Sequence, residues 1–236
     1  MDYAFTKIVD DVPGSEGPVV DLQGRFFVVS PGRGSILQID ESAQTKREHA
    51  NTGGVPAGLQ VDRDNRLWVA DMKLGLLRVT PEGQVEDVVR EFDGAPMRGC
   101  NDCAFDPEGN LYITAPAGSN NDNPVGEIYC WTAQGQMRRL DGGYAFCNGI
   151  AVTADGSTLI VAETYTKSLW AYDIQGPGQV ANKRLFAKLE DPNGLGPDGM
   201  DFDEEGFLLV AHFGGSSVDV FDPQGKLVER IGFPFA

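Results

Sequence analysis

Cationic side chains are scarce in this chain of 236 residues, which has 19 Lys and Arg against 35 Asp and Glu and a formal net charge of −16 at pH 7. Binding of nucleic acid or of an anionic membrane surface depends on clustered basic side chains. We therefore expect neither partner. No apolar run approaches the roughly 20 residues that span a bilayer, and no basic and apolar leader of the secretory type follows Met1.

Histidine and cysteine are also few. The two histidines are His49 and His212, and without a Gly-x-Ser-x-Gly elbow they argue against a serine triad. The four cysteines are Cys100, Cys103, Cys130 and Cys147. Cys100 and Cys103 have the spacing of half a zinc site, but zinc would need a second pair or nearby histidines. We predict buried free thiols in a reduced, cytoplasmic protein.

A turn with Asp or Asn and Gly recurs five times between two apolar strands, in residues 19–29, 59–69, 103–113, 150–161 and 200–210. Asp caps such a turn and Gly supplies the positive φ. A third strand follows, as in residues 34–40 and 216–222. A period of roughly 40–50 residues with several strands per unit is typical of β-propeller blades. The sequence predicts one all-β propeller domain over residues 1–236, with five complete repeats.

One position in each repeat, five residues before the turn residue, is rich in side-chain oxygen. It is occupied by Glu16, Ala57, Asn101, Asn148 and Asp198. The first strand of a propeller blade runs along the central channel, so equivalent positions face one another. Two carboxylates and two carboxamides suit Ca²⁺, whereas zinc or copper would want imidazole or thiolate. The alternative is that these are ordinary turn residues, since Asn and Asp favour loops.

The second strand of each repeat ends in a largely apolar set, which consists of Pro31, Met72, Pro116, Thr164 and Phe213. An apolar rim above a charged point would suit a small, mostly apolar ligand. Packing between blades is the alternative role for each of these side chains.

Several motifs together resemble the diisopropyl fluorophosphatases, within the gluconolactonase-like superfamily of calcium-dependent β-propellers. They are residues 15–18, 54–58, 70–77, 99–106, 113–118, 161–164 and 198–203. The resemblance covers essentially the whole chain. The Cys-Asn-Asp-Cys run at 100–103 and the Asp-Gly-Met-Asp run at 198–201 are the most specific segments.

The resemblance implies a hydrolase that cleaves P–F and related bonds of organophosphates. It implies a calcium held by the same four residues that the repeats select, Glu16, Asn101, Asn148 and Asp198. The phosphoryl oxygen of the substrate would bind the calcium, and Asp198 would attack phosphorus or act as a base towards water. The resemblance also implies supporting and pocket-lining residues, which are Asp102 beside the metal and Val55, Met72, Thr164 and Phe213 around the substrate.

The chain departs from the family at its C-terminal end. The family has six blades, and its sixth repeat follows a Pro-Phe pair like that at residues 234–235, whereas this sequence ends at Ala236. The absent segment carries a pocket histidine and ligands of a second calcium, for which Asp201 matches one ligand. We expect either a truncated form or a propeller that closes with five blades.

Two other functions stay open at this point: a lactonase of the gluconolactonase type, and a non-catalytic propeller that binds calcium and recruits a partner. The sequence does not specify the natural substrate. It carries no signal for oligomeric state, and a monomer is the expectation.

Overall fold

The computed structural model of the protein describes residues 3–97, 99–190 and 193–234, so Phe235 of the predicted Pro-Phe pair lies outside the described residues. Its strands form five four-stranded antiparallel sheets and one two-stranded hairpin. In the described residues the one helical element is a single 3-10 turn, Pro31–Arg33. The predicted all-β class and the five repeats are confirmed, and we number the sheets blade 1 to blade 5 in chain order.

The chain divides into two compact units, and the first comprises residues 4–103. This N-terminal unit contains blades 1 and 2 and a short hairpin. Blade 1 consists of β1 (Glu16–Val20), β2 (Phe26–Ser30), β3 (Ser35–Asp40) and β4 (Thr45–Asn51). Blade 2 consists of β5 (Pro56–Val61), β6 (Leu67–Asp71), β7 (Gly75–Val79) and β8 (Val85–Val89). The hairpin consists of β9 (Glu91–Phe92) and β10 (Ala95–Pro96).

Among the described residues, the second unit comprises Tyr3 and residues 104–190 and 193–234, and it contains blades 3 to 5. Blade 3 consists of β11 (Cys103–Phe105), whose first residue ends the N-terminal unit, β12 (Leu111–Ala115), β13 (Gly126–Trp131) and β14 (Met137–Tyr144). Blade 4 consists of β15 (Cys147–Val152), β16 (Thr158–Glu163), β17 (Ser168–Gly176) and β18 (Gln179–Lys188). Blade 5 consists of β19 (Gly196–Phe202), β20 (Leu208–Phe213), β21 (Ser217–Phe221) and β22 (Leu227–Gly232).

The turn between the first two strands of a blade is closed by the predicted Asp. Asp21 Oδ1 accepts hydrogen bonds from the backbone N–H groups of Gln23 (2.9 Å) and Arg25 (2.8 Å). Asp203 Oδ1 accepts the equivalent pair from Glu205 (2.9 Å) and Phe207 (2.8 Å). Each carboxylate thus satisfies the donors of its own turn, which is why Asp recurs there.

Each unit has its own apolar core. The strands next to the first strand of a blade are almost wholly buried, as in β6 and β12, where every residue is buried. The outermost strands, such as β8, alternate between exposed and covered residues. The contrast arises because an outermost strand has one face against the protein and one face in solvent. No helix in the three described ranges has the length and apolar character needed to cross a membrane.

The prediction of buried free thiols is confirmed for all four cysteines. Burial raises the pKa of Cys130 and of Cys147 to about 12. It also raises the pKa of Cys103, with a further contribution from the neighbouring Asp102 carboxylate.

Native protein is therefore expected to resist thiol reagents such as DTNB. At pH 8 a thiol with a pKa of about 12 is ionised in roughly one molecule in ten thousand, and the thiolate is the reactive form. Absorbance at 412 nm should show four thiols only after denaturation. Rapid reaction of any thiol in the native protein would contradict this burial.

Candidate metal-binding and active site

The position that the repeat selects, here called the ring position, lies within a β-bulge of the first strand in blades 2, 4 and 5. The pairing register shifts between Pro56 and Gly58 in blade 2, between Cys147 and Ile150 in blade 4 and between Pro197 and Met200 in blade 5. In blade 1, Glu16 pairs with Val29 and the shift follows it, before Val19. A bulge inserts an unpaired residue and re-aims its side chain. Asn148 and Asp198 are therefore released from the alternation of the strand.

In the N-terminal unit, glycines let these bulges approach one another closely. A Cβ on Gly17 would lie 2.4 Å from the carbonyl oxygen of Ala57. A Cβ on Gly58 would lie 2.7 Å from the Cα of Asp102 and 2.8 Å from the carbonyl oxygen of Asn101. None of these three distances permits a side chain. Glycine therefore follows the ring position in blades 1 and 2, because the backbone of the next blade occupies the space of a Cβ.

The N-terminal unit holds two of the four predicted calcium ligands, Glu16 and Asn101, and the predicted supporting residue Asp102. Glu16 is exposed and lines a cleft of about 590 Å³. Asn101 and Asp102 are half-buried. Asp102 Oδ1 accepts a hydrogen bond from the backbone N–H of Cys103 at 2.8 Å, which fixes the carboxylate next to Asn101 and agrees with the supporting role predicted for it.

In the C-terminal unit, the bulges of blades 4 and 5 come together in the same way. A Cβ on Gly149 would lie 2.1 Å from the carbonyl oxygen of Asp198. The Asn148 amide lies near enough to the Asp198 carboxylate to lower its pKa. Two of the four predicted ligands, from blades adjacent in sequence, are therefore neighbours.

The Thr164 hydroxyl links these two residues to the backbone of β19. Thr164 is buried, and its Oγ1 donates to the carbonyl oxygen of Pro197 at 2.8 Å. The same Oγ1 accepts from Nδ2 of Asn148 at 3.3 Å. With its amide NH₂ group directed at Thr164, Asn148 has Oδ1 as the atom able to coordinate a cation.

Asp198 is a half-buried carboxylate whose charged form is destabilised by its surroundings. Burial raises its pKa, although the hydrogen bonds from the Gly199 backbone N–H and the Asn148 amide lower it in part. In the part of the chain that the structure describes, no Lys or Arg lowers the pKa of Asp198. A bound cation would supply the missing positive charge.

The residues present fit a calcium ion better than a softer metal. Within the described residues, no group of three or more His, Cys, Asp or Glu side chains is placed to hold a metal by itself. A metal at the predicted position must therefore also use carboxamide oxygens, as the predicted set of two carboxylates and two carboxamides would. Calcium accepts such a set and completes its shell with water.

The predicted pocket residues differ in their surroundings. Val55 and Met72 are half-buried neighbours in blade 2, where the Met72 N–H donates to the Val55 carbonyl at 2.8 Å. Phe213, with 53% of its surface exposed, ends β20. Thr164, directly after β16, is 3% exposed and its hydroxyl is engaged on both sides, so it orients Asn148.

Asp201, the doubtful ligand of a second site, lies on β19. Its side chain is exposed at the surface, yet the protein around it displaces enough water to raise its pKa. Its Oδ1 accepts a hydrogen bond from the Phe202 backbone N–H at 2.8 Å.

The repeat pattern and the motifs do not select two buried carboxylates near the site, Asp71 and Glu163. Asp71 is 0% and Glu163 7% exposed, and each directly precedes a predicted pocket residue, Met72 or Thr164. An acid that ends an apolar strand is an available signal, because Asp and Glu are almost never fully buried without partners.

Comparison with known proteins places these features in context. Residues 14–236 match the family described as SMP-30/Gluconolactonase/LRE-like region. The chain is 47% identical to diisopropyl-fluorophosphatase of Loligo vulgaris, over 98% of this chain and 82% of that protein. This similarity confirms the resemblance predicted from the motifs, and with it an enzyme of the diisopropyl-fluorophosphatase-like class.

Solved structures confirm the β-propeller fold. A gluconolactonase from Xanthomonas campestris superposes with a TM-score of 0.82 at 24% identity, over 93% of this chain and 76% of that one. Regucalcin from Agrobacterium tumefaciens, described as a calcium-binding protein, superposes with a TM-score of 0.79 at 23% identity, over 93% and 74% of the two chains. At these identities the likeness shows the fold alone.

Proposed function

Because the chain belongs to the SMP-30/Gluconolactonase/LRE-like family, we propose that it is a calcium-dependent hydrolase of P–F and related phosphorus–leaving-group bonds in organophosphates. The proposed ligands are Glu16, Asn101, Asn148 and Asp198. The proposed substrate contacts are Val55, Met72, Thr164 and Phe213.

The observation that carries this proposal is the close approach of the bulges that hold Asn148 and Asp198, where a Cβ on Gly149 would lie 2.1 Å from the Asp198 carbonyl oxygen. Structural turn residues would satisfy their own turns, as Asp21 and Asp203 do. Asp198 is instead half-buried, with a raised pKa and an oriented amide beside it. The choice of organophosphate as substrate is supported by the 47% identity to diisopropyl-fluorophosphatase.

The chain's own residues suggest how the reaction would proceed. Bound calcium would polarise the phosphoryl group and stabilise the negative charge that develops on it. The Asn148 amide beside Asp198 lowers the pKa of its carboxyl group and so favours the ionised form. Asp198 would attack phosphorus and expel fluoride, after which water would cleave the phosphoryl group from the carboxylate. Alternatively, Asp198 would accept a proton from a water that displaces fluoride directly, and both roles require its ionised form. The Thr164 hydroxyl orients Asn148 by accepting from its amide.

Fluoride release from a dialkyl fluorophosphate tests the proposal directly. We expect turnover with calcium, its loss on addition of a chelator and its return when calcium is restored in excess. Fluoride release that is unaffected by chelation would contradict the calcium dependence. A folded, calcium-binding protein that releases no fluoride would contradict the substrate.

A lactonase activity is the second candidate, favoured by the family match, whose description includes gluconolactonase. The opening rate of an aldonolactone, measured beside fluoride release under the same conditions, separates the two. A non-catalytic calcium-binding propeller is the third candidate. That candidate predicts no chelator-sensitive turnover of either substrate.

The four buried free thiols support a reducing compartment, and the cytoplasm is the proposed location.

A further inference from the structure

Two buried carboxylates occupy equivalent places in blades 2 and 4. Asp71 ends β6 and pairs with Pro56, one residue before the bulge at Ala57. Glu163 ends β16 and pairs with Cys147, one residue before the bulge at Asn148. The equivalent residues of the other blades are Ser30, Ala115 and His212. A blade therefore forms without an acidic residue at this position. The fold alone does not explain why Asp71 and Glu163 are acidic.

Glu163 joins the loop before Asn148 to the loop after Thr164. Its Oε1 accepts from the backbone N–H of Ala145 at 2.7 Å. Its Oε2 accepts from Oγ1 of Thr166 at 2.7 Å and from Nε1 of Trp170 at 2.8 Å. These bonds fix the chain on both sides of the Asn148–Thr164 pair.

Asp71 makes the corresponding connection in blade 2. Its Oδ1 accepts from the backbone N–H groups of Val55 (2.9 Å), Lys73 (3.0 Å) and Leu74 (2.9 Å). Its Oδ2 accepts from Oγ1 of Thr52 at 2.9 Å. The carboxylate is seated so closely that a Cβ on Gly54 would lie 2.4 Å from it, which explains the glycine before Val55.

We propose that Asp71 and Glu163 are positioning residues, which hold the substrate-contacting residues of blade 2 and the calcium-binding residues of blade 4, respectively. This inference rests on the proposed function. Asp71 fixes the backbone of Val55 and, through Lys73 and Leu74, the segment that follows Met72. Glu163 fixes the entry to Asn148, and the Thr164 N–H also donates to the Phe146 carbonyl in that entry at 3.0 Å.

The two carboxylates differ in how they should tolerate an amide. In Glu163→Gln, one oxygen becomes an NH₂ group that would face the indole N–H of Trp170, which can only donate. In Asp71→Asn, the NH₂ group would face the Thr52 hydroxyl, which can rotate and accept, while the remaining oxygen keeps the three backbone donors. The structure thus predicts that Glu163→Gln disturbs its hydrogen bonds, whereas Asp71→Asn keeps its own.

The test measures kcat and KM for fluoride release, together with calcium affinity by isothermal titration. Glu163→Gln is expected to weaken calcium binding and lower kcat by about tenfold to a hundredfold, since small displacements of reacting groups are costly. Asp71→Ala is expected to raise KM by about tenfold with kcat near that of wild type. Asp71→Asn should have a KM much closer to that of the wild type than Asp71→Ala.

Two further variants separate positioning from general destabilisation. Trp170→Phe in the Glu163→Gln background removes the opposing donor and should restore part of kcat. Asp173→Asn makes the same charge change on an exposed part of blade 4, where Asp173 pairs with Arg184, and should change neither constant. All variants are compared at temperatures where circular dichroism shows them folded.

The outcomes are distinguishable. An active wild type whose folded Glu163→Gln and Asp71→Ala variants keep its kcat, KM and calcium affinity would overturn the positioning role and leave the proposed function standing. A wild type that binds calcium but turns over neither substrate class would overturn the proposed reaction. The positioning role of Glu163 would then be overturned by equal calcium affinity in Glu163→Gln. A wild type that binds no calcium would overturn both.

Discussion

Asp198→Asn is expected to lower the rate of fluoride release by about a hundredfold to ten-thousandfold, the usual effect of removing a group that supplies or accepts a proton or attacks directly. The asparagine keeps the shape and can still accept a hydrogen bond from the Gly199 N–H, so the arrangement of the two bulges is preserved. What it loses is the negative charge, which both the proposed calcium site and the proposed chemical step would need. The measurement is fluoride release at saturating substrate and calcium.

Thermal unfolding of the same variant distinguishes a lost charge from a damaged fold. Burial raises the folded-state pKa of Asp198, so at neutral pH its ionised form opposes folding in the calcium-free protein. Removing the charge should therefore leave the unfolding midpoint without calcium unchanged or higher. The increase in midpoint that calcium gives the wild type should be reduced or lost. Full activity in a folded Asp198→Asn protein would contradict its assignment as ligand and reacting group.

Gly149→Ala is expected to destabilise the protein strongly. The new Cβ would lie 2.1 Å from the carbonyl oxygen of Asp198, a backbone atom that cannot rotate away as a side chain could. Overpacking typically costs about 1–3 kcal/mol where side chains can yield, so we expect about 3 kcal/mol or more here. Urea unfolding of the calcium-free protein measures this loss.

Gly199→Ala is the matched control, because Gly199 follows Asp198 as Gly149 follows Asn148. A Cβ at Gly199 would meet no heavy atom within 4 Å, and neither glycine has a positive φ. The change should therefore alter the free energy of unfolding by less than about 1 kcal/mol. Equal losses for the two alanines would show that β15 and β19 do not approach as described.

The repeats were predictable because their signals are local. An Asp that accepts from residues two and four positions later needs no information from elsewhere in the chain. Counting back five residues from the turn residues Thr153 and Asp203 selects Asn148 and Asp198, and the structure brings the bulges that hold them together.

The features that escaped prediction depend on distant partners. A bulge is defined by the strand opposite, so the sequence around Asn148 alone does not reveal the register shift there. Thr164 was expected only to line a pocket, because its link to Pro197 joins residues 33 positions apart. Glu163 was overlooked for a related reason, since its donors Ala145 and Trp170 lie on opposite sides of it in sequence.

The bulges also make the ring position replaceable. A residue in regular strand pairing is committed to one face of the sheet, and its identity is constrained by neighbours on that face. The bulged residue escapes this constraint, and blade 2 illustrates it, since Ala57 stands at the ring position while β5 pairs with β6 through the same kind of shift. One blade can therefore exchange a ligand for an inert side chain without altering its hydrogen-bonding frame. Such an architecture can diverge in metal preference or chemistry while its scaffold stays constant.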